Sequence, residues 1–386
     1  MQTKKLKTEN GSIRKELKMK FTIDKRILTE AVGNLQRAVS AKTSIPALEG
    51  ILIRTDEGKI ILSSYDLEIG MQTELPAVIS EHGTIDLTAK LFSEIVRKSP
   101  ADDITVETDD RNTATITSGV SCFTIIGMDA AEFPEFPTIT ESNTVKIPSN
   151  LLNSMIRQTI FAVADSNAKP IHQGSLFKIS NGTLDLVSVD GYRLALRREA
   201  IQFTGDLEFV VPGKTLSEIL KLLRDDDSAV EISAGQRHIL FKIDNYTDLS
   251  ALLEGEFLDY KAALPKDNKI EVVVSTRTLI DSVERVSLLI TDRLKSPVRC
   301  VIGDDTIKLM CTTTMGRASD QIDASVSGEN LEIGFNNKYL LDALRSAESD
   351  EVRMMLNGPI SPMLILPKEG DAFSFLVLPV RLRSDM

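Results

Sequence analysis

"PGKTLSEILKLL", Pro212 to Leu223, puts apolar residues at Leu216, Ile219, Leu220 and Leu223 behind a proline, the pattern of an amphipathic helix that starts just past Pro212. The chain repeats this helix. "TAKLFSEIVRKS" from Thr88 and "NNKYLLDALRSA" from Asn336 match it, with Lys90, Lys214 and Lys338 as corresponding residues spaced 124 positions apart.

Other segments recur at nearly the same interval. "FTIDKRILTEAV" at 21, "VKIPSNLLNSMI" at 145 and "VVVSTRTLIDSV" at 272 each read as a short alternating strand, a polar N-cap and a helix. The expected caps are Asp24, Ser149, and Ser275 or Thr276. "EFPEF" at 132 answers "EFLDY" at 256, and "SSYDLEIGM" at 63 answers "VSVDGYRLA" at 187. Between these pieces lie alternating strand patterns, with Asn181-Gly182 and Asp304-Asp305 as hairpin cues. A period near 124 is too long for a solenoid and has the size of a domain. The reading is therefore α+β: three tandem copies of one domain, two helices packed on antiparallel sheets in each. The expected spans are 19–143, 144–268 and 269–386, preceded by a polar, basic, disordered leader or extension over 1–18, with Met19 as a natural start.

The length, 386 residues, suits two or three domains rather than one core. No apolar run approaches the roughly 18 residues of a membrane helix, and no secretory signal is visible, so the expected location is cytoplasmic with no membrane partner. Cys122, Cys300 and Cys311 form no CxxC pair and read as buried thiols. A net charge of −11 argues against a nucleic-acid partner unless the basic residues gather on one face.

Catalytic signatures are missing: no phosphate-binding glycine loop, no HExxH, no GxSxG. His82, His172 and His238 sit in unrelated settings. Asp109-Asp110 and Asp225-Asp226-Asp227 fall in turn-like stretches and read as solvated loop tips, and Asp66 and Asp190, which recur between copies, read as turn residues. No cofactor or metal is expected. The competing readings are an enzyme acting on nucleic acid through a carboxylate metal site formed by folding, and a protein-only scaffold.

Eight stretches in order, "IPALEGILI", "YDLEIGM", "AAEFPEFP", "VDGYRLA", "EGEFLDYKAALPK", "LEIGFNNKYLLDAL", "VRMML" and "LPVRL", carry a resemblance to the beta subunit of bacterial DNA polymerase III, the sliding-clamp family. It runs from "MKFTID" to "LVLPVRL". The resemblance implies a head-to-tail homodimeric ring around double-stranded DNA, helices lining the hole, non-catalytic, conferring processivity on the replicative polymerase. Lysine near a helix N-terminus is mildly unfavourable, by about 0.3–1 kcal/mol, so three matched copies point to a use.

Lys90, Lys214 and Lys338 would then face the phosphate backbone, with Lys42 and Lys169 as loop contacts to DNA. Arg26, Arg37, Arg97, Lys98, Arg157, Lys221, Arg224, Arg277, Arg285 and Arg345 are further basic residues on or beside the helices. Where the family commonly has aromatics after Lys169, this chain has Pro170 and Ile171. The clamp loader, the polymerase alpha subunit and other clamp-binding-motif proteins would dock a short peptide between the second and third domains. That pocket would use Gly191, Tyr192, Arg193 and Leu194, with Pro362, Leu376, Leu378, Pro379, Val380, Arg381 and Leu382 opposite. Leu258, Ala262 and His172 depart from the family pattern there and imply a pocket of altered shape. The dimer interface would join Phe123 and Ile125 to Leu288 and Leu289.

Overall fold

A computed structural model describes residues 17–40, 43–137, 139, 143–165, 169–291 and 296–382. Its helices are α1 (Lys25–Leu35), α2 (Ala89–Lys98), α3 (Ser149–Arg157), α4 (Gly213–Ile219), α5 (Tyr260–Ala263), α6 (Thr276–Ser287) and α7 (Asn337–Ser346).

One closure is made three times. The strands Leu17–Asp24, Asn143–Pro148 and Ile270–Ser275 lead into α1, α3 and α6, and each pairs antiparallel with the strand that follows the second helix of its copy. Ile23 thus faces Ile104, Ile147 faces Val230 and Val274 faces Val352, and all six side chains are buried. The first helical N–H, which has no partner inside its own helix, donates across that seam every time: Lys25 to the Asp102 carbonyl at 2.7 Å, Ser149 to Ser228 at 2.8 Å, Thr276 to Asp350 at 2.9 Å. Strand, helix and returning strand are therefore locked as one unit in each copy.

The N-caps are partly as expected. Asp24 accepts from the Arg26 and Ile27 amides, and Ser275 from Thr278. Ser149 is not a cap: Pro148 holds that position, and Ser149 lies inside the first turn, with its hydroxyl donating to the Arg224 carbonyl at 2.9 Å. The loop just ahead of the returning strand satisfies the helix start instead, through the Ser228 and Asp226 carbonyls. Asn336 caps α7 through the Lys338 and Tyr339 amides.

The chain divides into two compact units, Met1–Thr138 with Leu240–Leu249, and Ile139–Ile239 with Ser250–Met386. In the first, α1 packs on α2 beside a five-stranded sheet ordered Val78–Glu81, Leu17–Asp24, Asp103–Asp109, Thr113–Ser118, Ser121–Ile126. A second ladder runs Thr84–Thr88, Gly50–Asp56, Lys59–Tyr65, Ile69–Pro76. In the second unit a nine-stranded sheet passes from the second copy into the third, because strand Arg193–Ala200 pairs with Phe373–Val377. There α6 packs on α7 and on strands of a four-stranded sheet.

Both hairpin cues are turns with left-handed residues, at Asn181 and Gly182 (φ 52° and 74°) and at Asp304 and Asp305 (φ 48° and 53°). Two expectations are corrected. Cys122 is exposed on strand Ser121–Ile126, while Cys300 and Cys311 are buried. The first strand begins at Leu17, inside the span assigned to the leader. The last strand, Phe373–Val377, lies within the nine-stranded sheet rather than at its edge.

Candidate functional site

The site grows from a turn that the chain writes twice. Asp66 Oδ1 accepts from the amides of Glu68 and Ile69, and Asp190 Oδ1 accepts from Tyr192 and Arg193, at 2.7–3.0 Å. These aspartates hold turns, as their recurrence implied. The next residue is left-handed in both: Leu67 at φ 75° and Gly191 at φ 92°.

Past Gly191 the second turn directs two side chains toward α7. Arg193 is buried; its Nε donates to Asp190 at 2.9 Å and its Nη1 to Asp342 at 2.6 Å. The guanidinium lies over the Tyr339 ring at 4.6 Å and near Phe161 at 5.5 Å. Tyr192 stays largely exposed and stacks on Tyr339 at 5.9 Å. Arg193 is thus a fastening, and Tyr192 with Tyr339 is the accessible surface.

On the sheet beneath, Leu194 faces Leu376, and both join an apolar cluster with Ile171, Val189, Leu364, Tyr260 and Leu378. His172 is buried against Phe257 at 5.4 Å; burial, with Lys169 adding to it, lowers its pKa, so the imidazole is neutral at pH 7. A smaller version of this cluster occurs in the first copy: Leu52, Tyr65, Phe133 and Phe136 stand 124 residues before Leu176, Val189, Phe257 and Tyr260.

The C-terminal segment divides. Leu378 donates its N–H to the Tyr192 carbonyl at 2.9 Å and stays with the cluster, whereas Val380 donates to Gly334 at 2.8 Å and Leu382 lies over the same glycine. A side chain on Gly334 would strike Leu382 Cδ2 at 2.6 Å, so glycine there admits the tail. Pro362 and Pro379 are half-buried and Arg381 is exposed, and none of the three belongs to the cluster. Leu258 is not a member of the cluster but lines a cavity of about 710 Å³ beside it, together with the cluster residues Leu176, Val210 and Tyr260.

Lys90, Lys214 and Lys338 are each the second residue of their helix, and each is exposed. Lys169 is exposed ahead of the short turn Pro170–Gln173. Lys42 lies outside the described residues. Phe123 and Ile125 sit on the sheet-edge strand Ser121–Ile126, where Phe123 is exposed; Leu288, just past α6, is strongly exposed, and Leu289 packs partly on the core.

Sequence reasoning had not assigned Ile171, Val189, Leu364, Tyr339 or Asp342 to the site. Asp342 matches Glu218 and Glu94 in the repeat, but nothing local ties it to Arg193, 149 residues away. Among the described residues no three His, Cys, Asp or Glu come together as a metal site, and no helix is long and apolar enough to cross a membrane.

Three tandem copies of one strand-and-helix closure define a DNA-clamp fold. Family models of the N-terminal, central and C-terminal domains of the DNA polymerase III beta subunit match residues 19–137, 146–259 and 261–381. The chain belongs to that family. It is 34% identical to the beta sliding clamp of Bacillus subtilis over 94% of this chain and 100% of that one, and 30% identical to that of Staphylococcus aureus over 94% and 99%. Among solved structures, the Bacillus subtilis DNA polymerase sliding clamp superposes with a TM-score of 0.92 at 34% identity, covering 95% and 100% of the two chains. The Pseudomonas aeruginosa clamp bound to griselimycin gives 0.90 at 27% identity, covering 94% and 100%. These matches give no support to a carboxylate-metal enzyme.

Proposed function

We propose that the chain works as a non-catalytic DNA sliding clamp: a homodimeric ring that encircles duplex DNA without sequence preference and tethers the replicative polymerase and other replication and repair proteins. The observation that carries this reading is the threefold lysine. Each of α2, α4 and α7 spends its second position, where a cation is disfavoured, on an exposed lysine. A phosphate backbone offers the same charge in every direction, and loose contacts to it allow sliding.

In this reading Lys90, Lys214 and Lys338, with Lys42 and Lys169 on loops, meet DNA. Peptides from the polymerase alpha subunit, the clamp loader and other clamp-binding-motif proteins dock against Leu194, Leu376 and Leu378, with Tyr192 and Tyr339 as a second, aromatic contact. The cluster that joins Leu194 to Leu376 and Leu378 supports this. His172 fills the floor and Leu258 serves at most as a lip. The exposed Phe123 edge strand pairs with the Leu288 and Leu289 region of a second copy. The domain spans remain 19–143, 144–268 and 269–386, and the protein works in the cytoplasm.

Retention on a nicked circular duplex, lost when the circle is cut, tests the ring. A solution mass near twice 42.5 kDa tests the dimer. A monomer at micromolar concentration, or retention that survives linearisation, would overturn the reading.

A further inference from the structure

The repeated helices carry more than a lysine. Lys90, Glu94 and Arg97 stand at i, i+4 and i+7, and the matched positions hold Lys214, Glu218 and Lys221, then Lys338, Asp342 and Arg345. That spacing lines the trios of α2 and α7 along one helix face, while in the second copy α4 ends at Ile219 and Lys221 follows in the turn just past it. The opposite face is core: Phe92, Ile95 and Val96 on α2, and Leu340, Leu341 and Leu344 on α7, are buried. Both helices therefore present cation, acid, cation in a row.

The second cation of each row is neutralised, by a different route in the third copy. Glu94 pairs with Arg97 and, at 3.1 Å, with Lys98. Lys221 Nζ lies 2.8 Å from both Glu218 carboxylate oxygens. In the third copy Arg193 engages the row's own acid, Asp342, and Arg345 pairs instead with Glu284 of α6 at 2.7 Å. Among the described residues no acid pairs with Lys90 or Lys338.

We infer that Glu94 and Glu284 are internal counter-ions of the DNA-facing rows on α2 and α7, holding Arg97 and Arg345 so that duplex phosphate meets Lys90 and Lys338 at full charge and the second cations attenuated. The inference rests on the proposal that these helices face DNA. A phosphate reaching Arg97 must displace a carboxylate already in place, so little counterion release accompanies the contact. Surface pairs of this kind exchange readily. A ring held by closure needs no tight grip, and an attenuated row lets it move.

The test is the full-length double variant E94Q/E284Q, which frees Arg97, Lys98 and Arg345 while sparing Asp342. Both carboxylates are well exposed, and glutamine preserves shape, so folding is checked by an unchanged melting profile. Binding to a short linear duplex is titrated at several salt concentrations. The expected result is roughly tenfold tighter binding at low salt, with a log–log salt slope steeper by roughly one for each freed cation. Adding R97Q/R345Q should return both values most of the way to wild type. On long duplex with blocked ends, the double variant should diffuse several-fold more slowly. Unchanged affinity and slope, in a variant still retained on closed circles, overturns the inference and leaves the clamp reading intact. Failure of the wild-type protein to be retained on closed circles overturns both.

Discussion

Arg193 Nη1 donates to Asp342 Oδ2 at 2.6 Å across 149 residues of sequence, tying the turn of the second copy to the middle of α7 in the third. The pair borders the apolar cluster that holds Leu194 and Leu376. Breaking a buried pair costs about 3–5 kcal/mol, and the partial exposure of Asp342 reduces this to about 2–3 kcal/mol. Arg193→Ala should therefore lower the melting temperature clearly and weaken docking of a clamp-binding peptide at least tenfold. Arg193→Lys keeps the charge but loses the planar fork that serves two aspartates at once, so it should recover less than half of the lost stability. A lysine variant that melts like wild type would show that charge alone makes the fastening.

Leu67 and Gly191 occupy the same turn position, and only one of them suits it. A non-glycine residue in the left-handed region costs about 1–2 kcal/mol, against roughly 0.5–1 kcal/mol for the greater freedom glycine loses on folding. Leu67 is half-exposed, so little burial is lost on its removal. Leu67→Gly should raise stability by about 0.5–1 kcal/mol, and Gly191→Ala, which meets open space, should cost about 1 kcal/mol. Thermal melting of the two variants side by side reads both signs.

Asp86 takes the place, 124 residues earlier, of the cluster residue Val210. Its carboxyl is fully buried beneath Gly50, with no hydrogen-bond partner on either oxygen among the described residues, and burial, then the Glu132 carboxylate, pushes its pKa up to about 7. The folded state holds this proton more tightly than the unfolded one. Its contribution to stability is therefore fully present below pH 4, falls as the pH rises toward 7, and is gone above that. The span is at most about 4 kcal/mol at 1.4 kcal/mol per pH unit. Asp86→Asn should flatten this part of the profile, so that the variant is the more stable protein at pH 8. Stability followed by urea unfolding from pH 5 to 8 checks it, and parallel profiles for the two proteins would rule the assignment out.

The threefold organisation was legible because it rests on local patterns, alternating strands and 3.6-residue stripes, that the chain states three times. The closure itself was half legible. Asp24 and Ser275 could be read as caps, but Ser149 could not be refused, since the backbone carbonyl of Ser228 that serves its helix start comes from a distant turn. The docking surface proposed at "VDGYRL" and "LVLPVRL" was suggested in the sequence only by the family resemblance. What sequence could not show was the split at Leu378, where the tail leaves one sheet for Gly334 of another, or the capture of Arg193 by Asp342. Both depend on strand pairing between copies, which leaves no trace in local spacing. Cys122 was misread for a related reason: alternation marks which residues share a face, not whether anything covers it.

If the pocket and the lysine rows are separate functions, substitutions should separate them. Leu378 is half-buried and touches the cluster from the rim, so Leu378→Ala removes pocket surface at a stability cost below the roughly 2–5 kcal/mol of a fully buried leucine. Peptide affinity should fall about tenfold, with retention on nicked circles unchanged. Lys90 and Lys338 have no carboxylate partner among the described residues, and each occupies a helix position where a neutral side chain is tolerated as well or better. The double variant K90Q/K338Q should keep its melting temperature and its peptide affinity. Its binding to linear duplex should lose roughly one unit of log–log salt slope for each lysine removed. A K90Q/K338Q protein with wild-type salt dependence would place these lysines away from DNA, and an L378A protein that loses circle retention along with peptide binding would mean the two surfaces are not independent.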